Sequence, residues 1–380
     1  MKRILGGIMA VIAACTLIGC GDGKVTEHQT TTSAVSVAQS DSLKEAFKDD
    51  FSVGVAINTW QLQDQSAMEL IQKHFNSITM ENEMKPENVL DWQGSETSSD
   101  GMPVINTENL DKVLSLAQEK GLPLRGHTLI WHNQTPTWFF CKDYDESKNY
   151  VDKKTMLRRM ESYIKQVLEY CQNNYPGVVY AWDVLNEGVA DSGGFREDSK
   201  WYETIGEDYF EAAFQYARKY AAEGVKLFYN DYNSYEIAKR DFIFAKVKQL
   251  KEKNLIDGVG MQSHWGYDYP DIDMIELAVE KFCSIEGIEV QLTEIDMHTT
   301  DNSEETMKVQ AERYKEIFQR LLNLEKEGLA NITNVTFWGL NDSVTWLTNF
   351  KGETSYPLLF DEDNKEKRVI KSLLELAAQN

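Results

Sequence analysis

Two glutamates, Glu187 and Glu294, stand in polar segments that each follow an apolar, strand-like stretch of the chain. Comparable clusters of carboxylates, amides, histidines and tryptophans follow most of the other apolar stretches. Paired carboxylates in such company suit glycoside hydrolysis, in which one carboxylic acid protonates the leaving oxygen and the other stabilises or attacks the anomeric centre. The sequence has no GxSxG turn for a serine nucleophile and no HExxH metal motif. We therefore predict an active site that works without a metal or a cofactor.

Apolar stretches and amphipathic segments alternate from residue 51 onward, which indicates eight strand–helix units. The predicted strands are 51–58, 77–82, 123–131, 178–186, 226–231, 258–264, 289–296 and 334–340. The predicted helices are 65–74, 108–120, 155–173, 207–222, 236–253, 271–284, 304–327 and 365–378. The strands begin without polar alternation, which is typical of parallel strands that are buried on both faces.

This pattern predicts an α/β fold with one catalytic domain, a (β/α)8 TIM barrel whose active site lies at the carboxyl ends of the strands. A doubly wound open sheet is the alternative. It would normally bring a glycine-rich phosphate turn after its first strand, and residues 54–58 (GVAIN) do not form one.

Charge and composition favour a neutral substrate. Lysine and arginine total 39, aspartate and glutamate total 61, and the formal net charge is −22. Nucleic acid is disfavoured as a partner, because phosphate binding needs clustered cations. Cys141, Cys171 and Cys283 show no CxxC spacing, so one disulfide or three free thiols remain open.

The N-terminal segment predicts export. Lys2 and Arg3 precede the apolar stretch 4–18, which is shorter than the roughly 20 residues of a membrane-spanning helix. The stretch ends in Leu-Ile-Gly before Cys20, a pattern that resembles a bacterial lipidation site. We predict that Cys20 is acylated, and an ordinary signal peptide is the alternative.

These features divide the chain into three segments. Residues 1–19 are a predicted lipoprotein signal peptide, and residues 20–42 are a predicted flexible tether rich in Thr, Ser, Val and Gln. Residues 43–380 are the predicted catalytic domain. The expected location is therefore exported and lipid-anchored, with contact to the membrane only through the N-terminal lipid.

Seven polar motifs follow the predicted strands in order. They are 79–86 (TMENEMKP), 125–132 (RGHTLIWH), 182–187 (WDVLNE), 229–233 (YNDYN), 260–264 (GMQSH), 292–296 (LTEID) and 337–339 (FWG), the last with Trp346 beyond it. Taken together, they resemble the motifs of a glycoside hydrolase family 10 endo-1,4-β-xylanase over essentially all of residues 43–380. The resemblance implies xylan and xylo-oligosaccharides as substrates and a monomer as the expected state.

The resemblance also implies catalytic roles. Glu187 resembles the acid/base and Glu294 the nucleophile of a retaining double displacement. His264 and Asp296 would form a relay that orients Glu294 and favours its anion, while Asp183 would support the acid end.

Sugar-binding roles are implied in the same way for Glu81, Asn82, Lys85, His127, Trp131, Asn186, Tyr232, Gln262, His264, Trp338 and Trp346. Glu81, Asn82 and Lys85 would bind the next sugar outward from the cleaved one. The two tryptophans near the end of the chain would cap the cleaved sugar, and Tyr232 would stack on the first leaving-side sugar. Leu347 departs from the family pattern, in which arginine is common at this place.

Two other functions remain open at this point. One keeps the barrel and the mechanism but acts on β-1,4-glucan or cello-oligosaccharides. The other is a non-catalytic glycan-binding lipoprotein, against which the intact pair Glu187 and Glu294 argues.

Overall fold

The computed structural model describes residues 40–380, and eight parallel strands form a closed barrel within it. The strands are β1 (Ser52–Ile57), β2 (Ser77–Met80), β3 (Leu124–Gly126), β4 (Val179–Asn186), β5 (Lys226–Asp231), β6 (Gly258–Met261), β7 (Glu289–His298) and β8 (Ile332–Phe337). Each strand pairs in parallel with the next, and β8 pairs in parallel with β1. The predicted (β/α)8 TIM barrel is confirmed.

Eight helices follow the strands in turn. They are α1 (Gln65–His74), α2 (Thr107–Lys120), α3 (Lys153–Asn174), α4 (Asp208–Tyr220), α5 (Ile237–Glu252), α6 (Ile272–Cys283), α7 (Glu304–Lys326) and α8 (Arg368–Ala377). Side-chain caps define several starts, as at α3, where Asp152 accepts a hydrogen bond from the backbone N–H of Thr155. Helix α8 begins three residues later than predicted, because Phe360 and Glu366 pair as an antiparallel bridge that keeps the chain extended.

Short elements precede β1 and occupy several of the connections between the barrel elements. The helices are Leu43–Ala46, Pro86–Val89, Trp92–Glu96, Lys200–Ile205 and Trp346–Lys351, with 3-10 turns at Thr137–Phe140, Lys142–Tyr144 and Asp342–Val344. The short strands are Leu90–Asp91, which pairs with Val104–Ile105, then Ile130–Trp131 beside β4 and His264–Gly266 beside β7.

Two predicted strands are interrupted where the site forms. The predicted strand 123–131 breaks after Gly126, because Thr128 and Leu129 both bond to the carbonyl of Asp183 instead of continuing the ladder. The predicted strand 258–264 breaks at Ser263, whose φ is 67°. The final strand also ends early, because Gly339 has a φ of 137°.

The strands are buried on both faces, as predicted, but the barrel interior also contains polar side chains. Arg125 and Asp183 form a buried ion pair there, and Arg125 Nε donates to Gln291 Oε1 at 2.9 Å. Arg125, Asp183 and Gln291 therefore each have a partner, which is the condition for burying charge at tolerable cost.

Residues 1–39 lie outside the described part of the chain, and with them the predicted signal peptide, Cys20 and most of the predicted tether. Ser42 is packed against the folded domain, because it is 7% exposed and its hydroxyl donates to the carbonyl of Lys73. Within residues 40–380, none of the helices is both long and apolar enough to cross a membrane. Cys141, Cys171 and Cys283 are free thiols.

Candidate active site

A cleft of about 670 Å³ opens at the carboxyl ends of the strands. The predicted site residues that line it are Glu81, Asn82, Lys85, His127, Trp131, Asn186, Glu187, Tyr232, Gln262, His264, Glu294, Asp296, Trp338 and Trp346. Residues from seven separate motifs therefore converge on one cavity. Asp183 lies beneath the cleft, and Cys20 lies outside the described residues.

Glu294, near the end of β7, is 5% exposed at the floor of the cleft. Its two carboxylate oxygens are held separately: Asn230 Nδ2 donates to Oε1 at 2.7 Å, and His264 Nε2 lies 3.2 Å from Oε2. Burial by itself would raise the pKa of Glu294, but the His264 hydrogen bond, the charges of His127 and His264 and the Asn230 amide lower it to about 2. Glu294 is thus held as an anion, as expected.

His264 connects Glu294 to Asp296. Its Nδ1 lies 2.9 Å from Asp296 Oδ2, so the ring stands between two carboxylates. Burial would lower the pKa of His264, but the charge of Asp296 and its hydrogen bonds to Asp296 and Glu294 raise it to about 10. The ring is therefore an imidazolium that donates from both nitrogens. Trp346 Nε1 also donates to Asp296 Oδ2, at 2.9 Å, which fixes the outer end of this relay.

Glu187 follows the last residue of β4 and adopts a left-handed backbone conformation with φ 55°. Two contacts hold that strained backbone: its N–H donates to the carbonyl of Asn230 at 2.9 Å, and Arg196 Nε donates to its carbonyl at 2.8 Å. The side chain is 14% exposed, and Gln262 Nε2 donates to Oε1 at 2.9 Å. Its closest ring nitrogen is His132 Nδ1, 3.8 Å from Oε2.

Asn230 joins the two carboxylates, a role that motif spacing alone did not reveal. Its Nδ2 bonds to Glu294 and, at 2.8 Å, to Asn186 Oδ1, while Thr293 Oγ1 donates to its Oδ1 at 2.6 Å. Because its carbonyl also accepts from the N–H of Glu187, one residue of β5 sets the relative position of both acids. The signal for it was its place in the 229–233 motif, one residue before the end of β5.

Asp183 lies beneath the cleft and supports His127. It forms an ion pair with Arg125, and its Oδ2 lies 2.9 Å from His127 Nδ1. The bond fixes the His127 ring, which meets Trp338 edge-on with centroids 5.3 Å apart. No hydrogen bond joins Asp183 to Glu187 within the described residues, so the support of the acid end by Asp183 stays a prediction.

One corner of the cleft contains a cluster of charged side chains after β2. Glu81 accepts from Asn58 Nδ2 at 3.0 Å, and Lys85 Nζ lies 3.3 Å from Asn82 Oδ1 and 4.9 Å from the centre of the Trp131 ring. Burial raises the pKa of Glu81, and the positive charge of Lys85 opposes this rise. Burial lowers the pKa of Lys85, and the negative charge of Glu81 opposes this fall. These groups present hydrogen-bond donors and acceptors at one end of the cleft.

The opposite end contains Tyr232, held by two cations. Arg196 donates to its hydroxyl at 2.8 Å, and the buried Lys239 Nζ lies 3.3 Å from the centre of its ring. Lys239 is paired in turn with Asp231 at 2.9 Å and with Asp191 at 3.1 Å. Arg196 thus links the Tyr232 platform to the backbone of Glu187. It lies in a loop without a motif, so the sequence offered no signal for it.

The site contains no residue set that calls for a metal. Among the described residues, no group of three or more His, Cys, Asp or Glu side chains is arranged to hold a metal ion. The arrangement offers one carboxylate held ionised, a second carboxylate bound by an amide, and aromatic and amide walls between them. Such a site can carry out acid–base and nucleophilic chemistry on a neutral polyhydroxylated substrate.

A sequence profile of glycosyl hydrolase family 10 matches residues 42–376. The chain belongs to this family. It is 47% identical over 343 residues to endo-1,4-β-xylanase B of Butyrivibrio fibrisolvens, covering 89% of this chain and 54% of the relative. It is 39% identical over 340 residues to an endo-1,4-β-xylanase of Geobacillus stearothermophilus, covering 86% and 96% of the two chains. The chain thus spans about half the length of the Butyrivibrio enzyme.

Solved structures of family 10 enzymes share the fold closely. The CBM22-1 and GH10 modules of a Clostridium thermocellum endo-1,4-β-D-xylanase, complexed with xylohexaose, match with a TM-score of 0.81 and 36% identity, covering 89% of this chain and 68% of that one. Xylanase B from Clostridium stercorarium F9 matches with a TM-score of 0.76 and 34% identity, covering 88% and 99%.

Proposed function

We propose that this chain is an endo-1,4-β-xylanase that cleaves internal β-1,4 bonds of xylan by a retaining double displacement. The observation that carries the proposal is the contrast between two carboxylates in one cleft. Glu294 is buried and held as an anion by His264, while Glu187 stands nearer the solvent and accepts from the Gln262 amide. Family membership and the names of the relatives support the same activity.

In the first step, Glu187 gives its proton to the glycosidic oxygen while Glu294 attacks the anomeric carbon. The bond to the leaving sugar breaks, and a glycosyl ester of Glu294 forms. In the second step, Glu187 takes a proton from water as the water oxygen attacks the anomeric carbon. The bond from that carbon to Glu294 breaks, and Glu294 is released as a carboxylate. His264 holds the attacking oxygen in place and stabilises the carboxylate that departs at the end.

Xylan is favoured as the substrate because Trp338 and Trp346 line the cleft beside His264, which contacts Glu294. Bulky rings at this position would suit a pentose without an exocyclic CH2OH group better than glucose. The xylohexaose bound to the Clostridium thermocellum relative supports this choice. The alternative substrate is a β-1,4-glucan on the same machinery.

The experiment compares the release of reducing ends from glucuronoxylan and from carboxymethylcellulose by the full chain, with Glu294→Ala as the inactive control. The proposal expects short xylo-oligosaccharides from xylan and a far lower rate on the cellulose derivative. Faster release from the cellulose derivative would instead support the glucan alternative. Binding of xylan without release of reducing ends would support a non-catalytic glycan-binding protein.

We further propose that the enzyme is exported and anchored by a lipid on Cys20, with residues 20–42 as the tether. The charged start, the apolar stretch 4–18 and the Leu-Ile-Gly-Cys ending support this proposal. Growth of an expressing bacterium with labelled palmitate should label the wild-type chain and not Cys20→Ser. Equal absence of label in both would remove the lipid from the proposal and leave an ordinary signal peptide.

A further inference from the structure

Phe350 is a large aromatic side chain that the structure leaves 70% exposed at the edge of the cleft. It lies on the short helix Trp346–Lys351, which Thr345 caps by accepting from the N–H of Leu347. Because residues four apart share one helix face, Phe350 lies next to Trp346, with ring centroids 4.8 Å apart and planes 41° apart. Leu347 and Lys351 also line the cleft on this side.

The two rings continue a line that begins at the reacting centre. His264 touches Glu294, the His264 and Trp346 ring centroids lie 5.0 Å apart, and Phe350 follows Trp346. Trp346 is immobilised by its bond to Asp296. The line therefore leads outward from the reacting centre to a solvent-exposed aromatic ring that lines the cleft.

The position in the barrel gives the direction of this line. The helix Trp346–Lys351 follows β8, which pairs with β7 and β1, whereas Glu187 and Tyr232 follow β4 and β5 on the other side of the barrel mouth. In a retaining mechanism the leaving group departs on the side of the acid. The rings after β8 therefore border the part of the substrate that stays on Glu294.

We propose that Phe350 forms an outer binding subsite for a xylose unit on the glycone side, beyond the two sugars nearest the cleaved bond. The proposal rests on the proposed xylanase function. The apolar face of a pyranose ring stacks on an aromatic ring, and Phe350 offers such a surface without a hydrogen-bonding group.

The test uses two substrates that differ by one glycone sugar, p-nitrophenyl β-xylobioside and p-nitrophenyl β-xylotrioside, with the full chain. Phe350→Ala should lower kcat/KM for p-nitrophenol release from the trioside about tenfold, which corresponds to about 1.4 kcal/mol. It should leave kcat/KM for the bioside unchanged. Phe350→Tyr should retain the wild-type preference, because it keeps the ring.

Trp60→Ala is the matched control, because Trp60 is another exposed aromatic (53%) that follows β1 without lining the cleft. Trp60→Ala should leave kcat/KM unchanged for both substrates. Equal effects of Phe350→Ala on both substrates, no effect on either, or the same loss in Trp60→Ala would each overturn the subsite. Failure of the wild type to cleave xylan and both aryl glycosides would overturn the proposed function itself, which is a different result.

Discussion

Two glutamates in one cleft differ because their neighbours differ. Glu294 is surrounded by donors: His264 as an imidazolium and Asn230 as an amide. Glu187 receives one short hydrogen bond, from Gln262, and borders the open part of the cleft. Since a carboxylate among donors stays ionised, the environment rather than the residue type favours Glu294 as the proposed nucleophile.

Replacing Glu187 by Gln removes a proton donor and leaves the shape of the site intact. We expect kcat on xylan to fall by about 10²–10⁴-fold, because the sugar alcohol is a poor leaving group without protonation. The rate at which p-nitrophenyl β-xylobioside loses its p-nitrophenyl group should fall far less, because p-nitrophenolate leaves without a proton. Pre-steady-state measurement of p-nitrophenol release checks this, and equal losses on the two substrates would contradict the acid role.

Replacing His264 by Gln removes the charge that keeps Glu294 ionised. Burial then dominates, so the pKa of Glu294 rises and the acidic limb of kcat/KM moves to higher pH. Profiles of kcat/KM against pH for the wild type and the variant measure the shift. His298→Gln is the control, because His298 lies at the cleft and its Nδ1 bonds to Ser355. An unmoved acidic limb in His264→Gln would contradict the relay.

At the scale of elements, the site is built where strands end and the backbone turns sharply. Gln134, Glu187, Asn233 and Ser263 all have positive φ values, between 44° and 67°, and all lie at or just beyond the carboxyl ends of barrel strands. Non-glycine residues adopt this conformation at a cost, which neighbouring hydrogen bonds must offset. The barrel scaffold thus places strain where substrate contact is needed.

Gly260 shows how a strand supports the site. A Cβ at this position would overlap Asn230 Oδ1, and Asn230 holds both Glu294 and the backbone of Glu187. We expect Gly260→Ala to lower the free energy of unfolding by about 1–3 kcal/mol, as in other overpacked cores. It should also lower kcat per folded molecule, because the carboxylates are displaced.

Gly224→Ala provides the comparison for Gly260→Ala. Gly224 has φ +87° and no other atoms near its Cβ position, so alanine there strains the backbone far from the cleft. Urea unfolding should show destabilisation in both variants, and xylan turnover should fall only in Gly260→Ala. Full turnover in Gly260→Ala would contradict the positioning role of Asn230.

Regular elements could be predicted because burial on both faces and helical periodicity are visible in local sequence. The breaks after Gly126 and at Ser263 could not, because they depend on contacts with other strands, such as the bond of Thr128 to the carbonyl of Asp183. Asp183 stands in the 182–187 motif, which also contains Glu187. Its contacts with Arg125 and His127 arise only when strands far apart in sequence meet.

At the scale of the whole molecule, residues that stand in motifs could be proposed for the site, whereas residues outside motifs could not. Glu187, Glu294 and His264 stand in long motifs of recognisable composition. Arg196 lies in a loop and Phe350 on the short helix Trp346–Lys351, in segments without a motif, and their place in the site depends on which side chains the closed barrel brings beside them. The fold is therefore the more predictable part and the outer cleft the less predictable part.

The charges of the site also affect the stability of the molecule. Glu294 has a pKa lowered from 4.5 to about 2, so its contribution is complete above 4.5 and is lost as the pH falls toward 2. His264 has a pKa raised from 6.5 to about 10, so its contribution is complete below 6.5 and is lost as the pH rises toward 10. Urea unfolding across this range should show both losses, and His264→Gln should lose the alkaline one. An unchanged alkaline decline in the variant would contradict this assignment.

The most direct test of the account is to trap the covalent intermediate. A 2-deoxy-2-fluoro β-xylobioside with a good leaving group should form the glycosyl ester and hydrolyse it slowly, because fluorine destabilises the positively charged transition state of both steps. The account predicts one added fluoroxylobiosyl group per chain, located by peptide mass spectrometry on Glu294. A label on another carboxylate, or no label on an enzyme that still cleaves xylan, would contradict the retaining mechanism through Glu294.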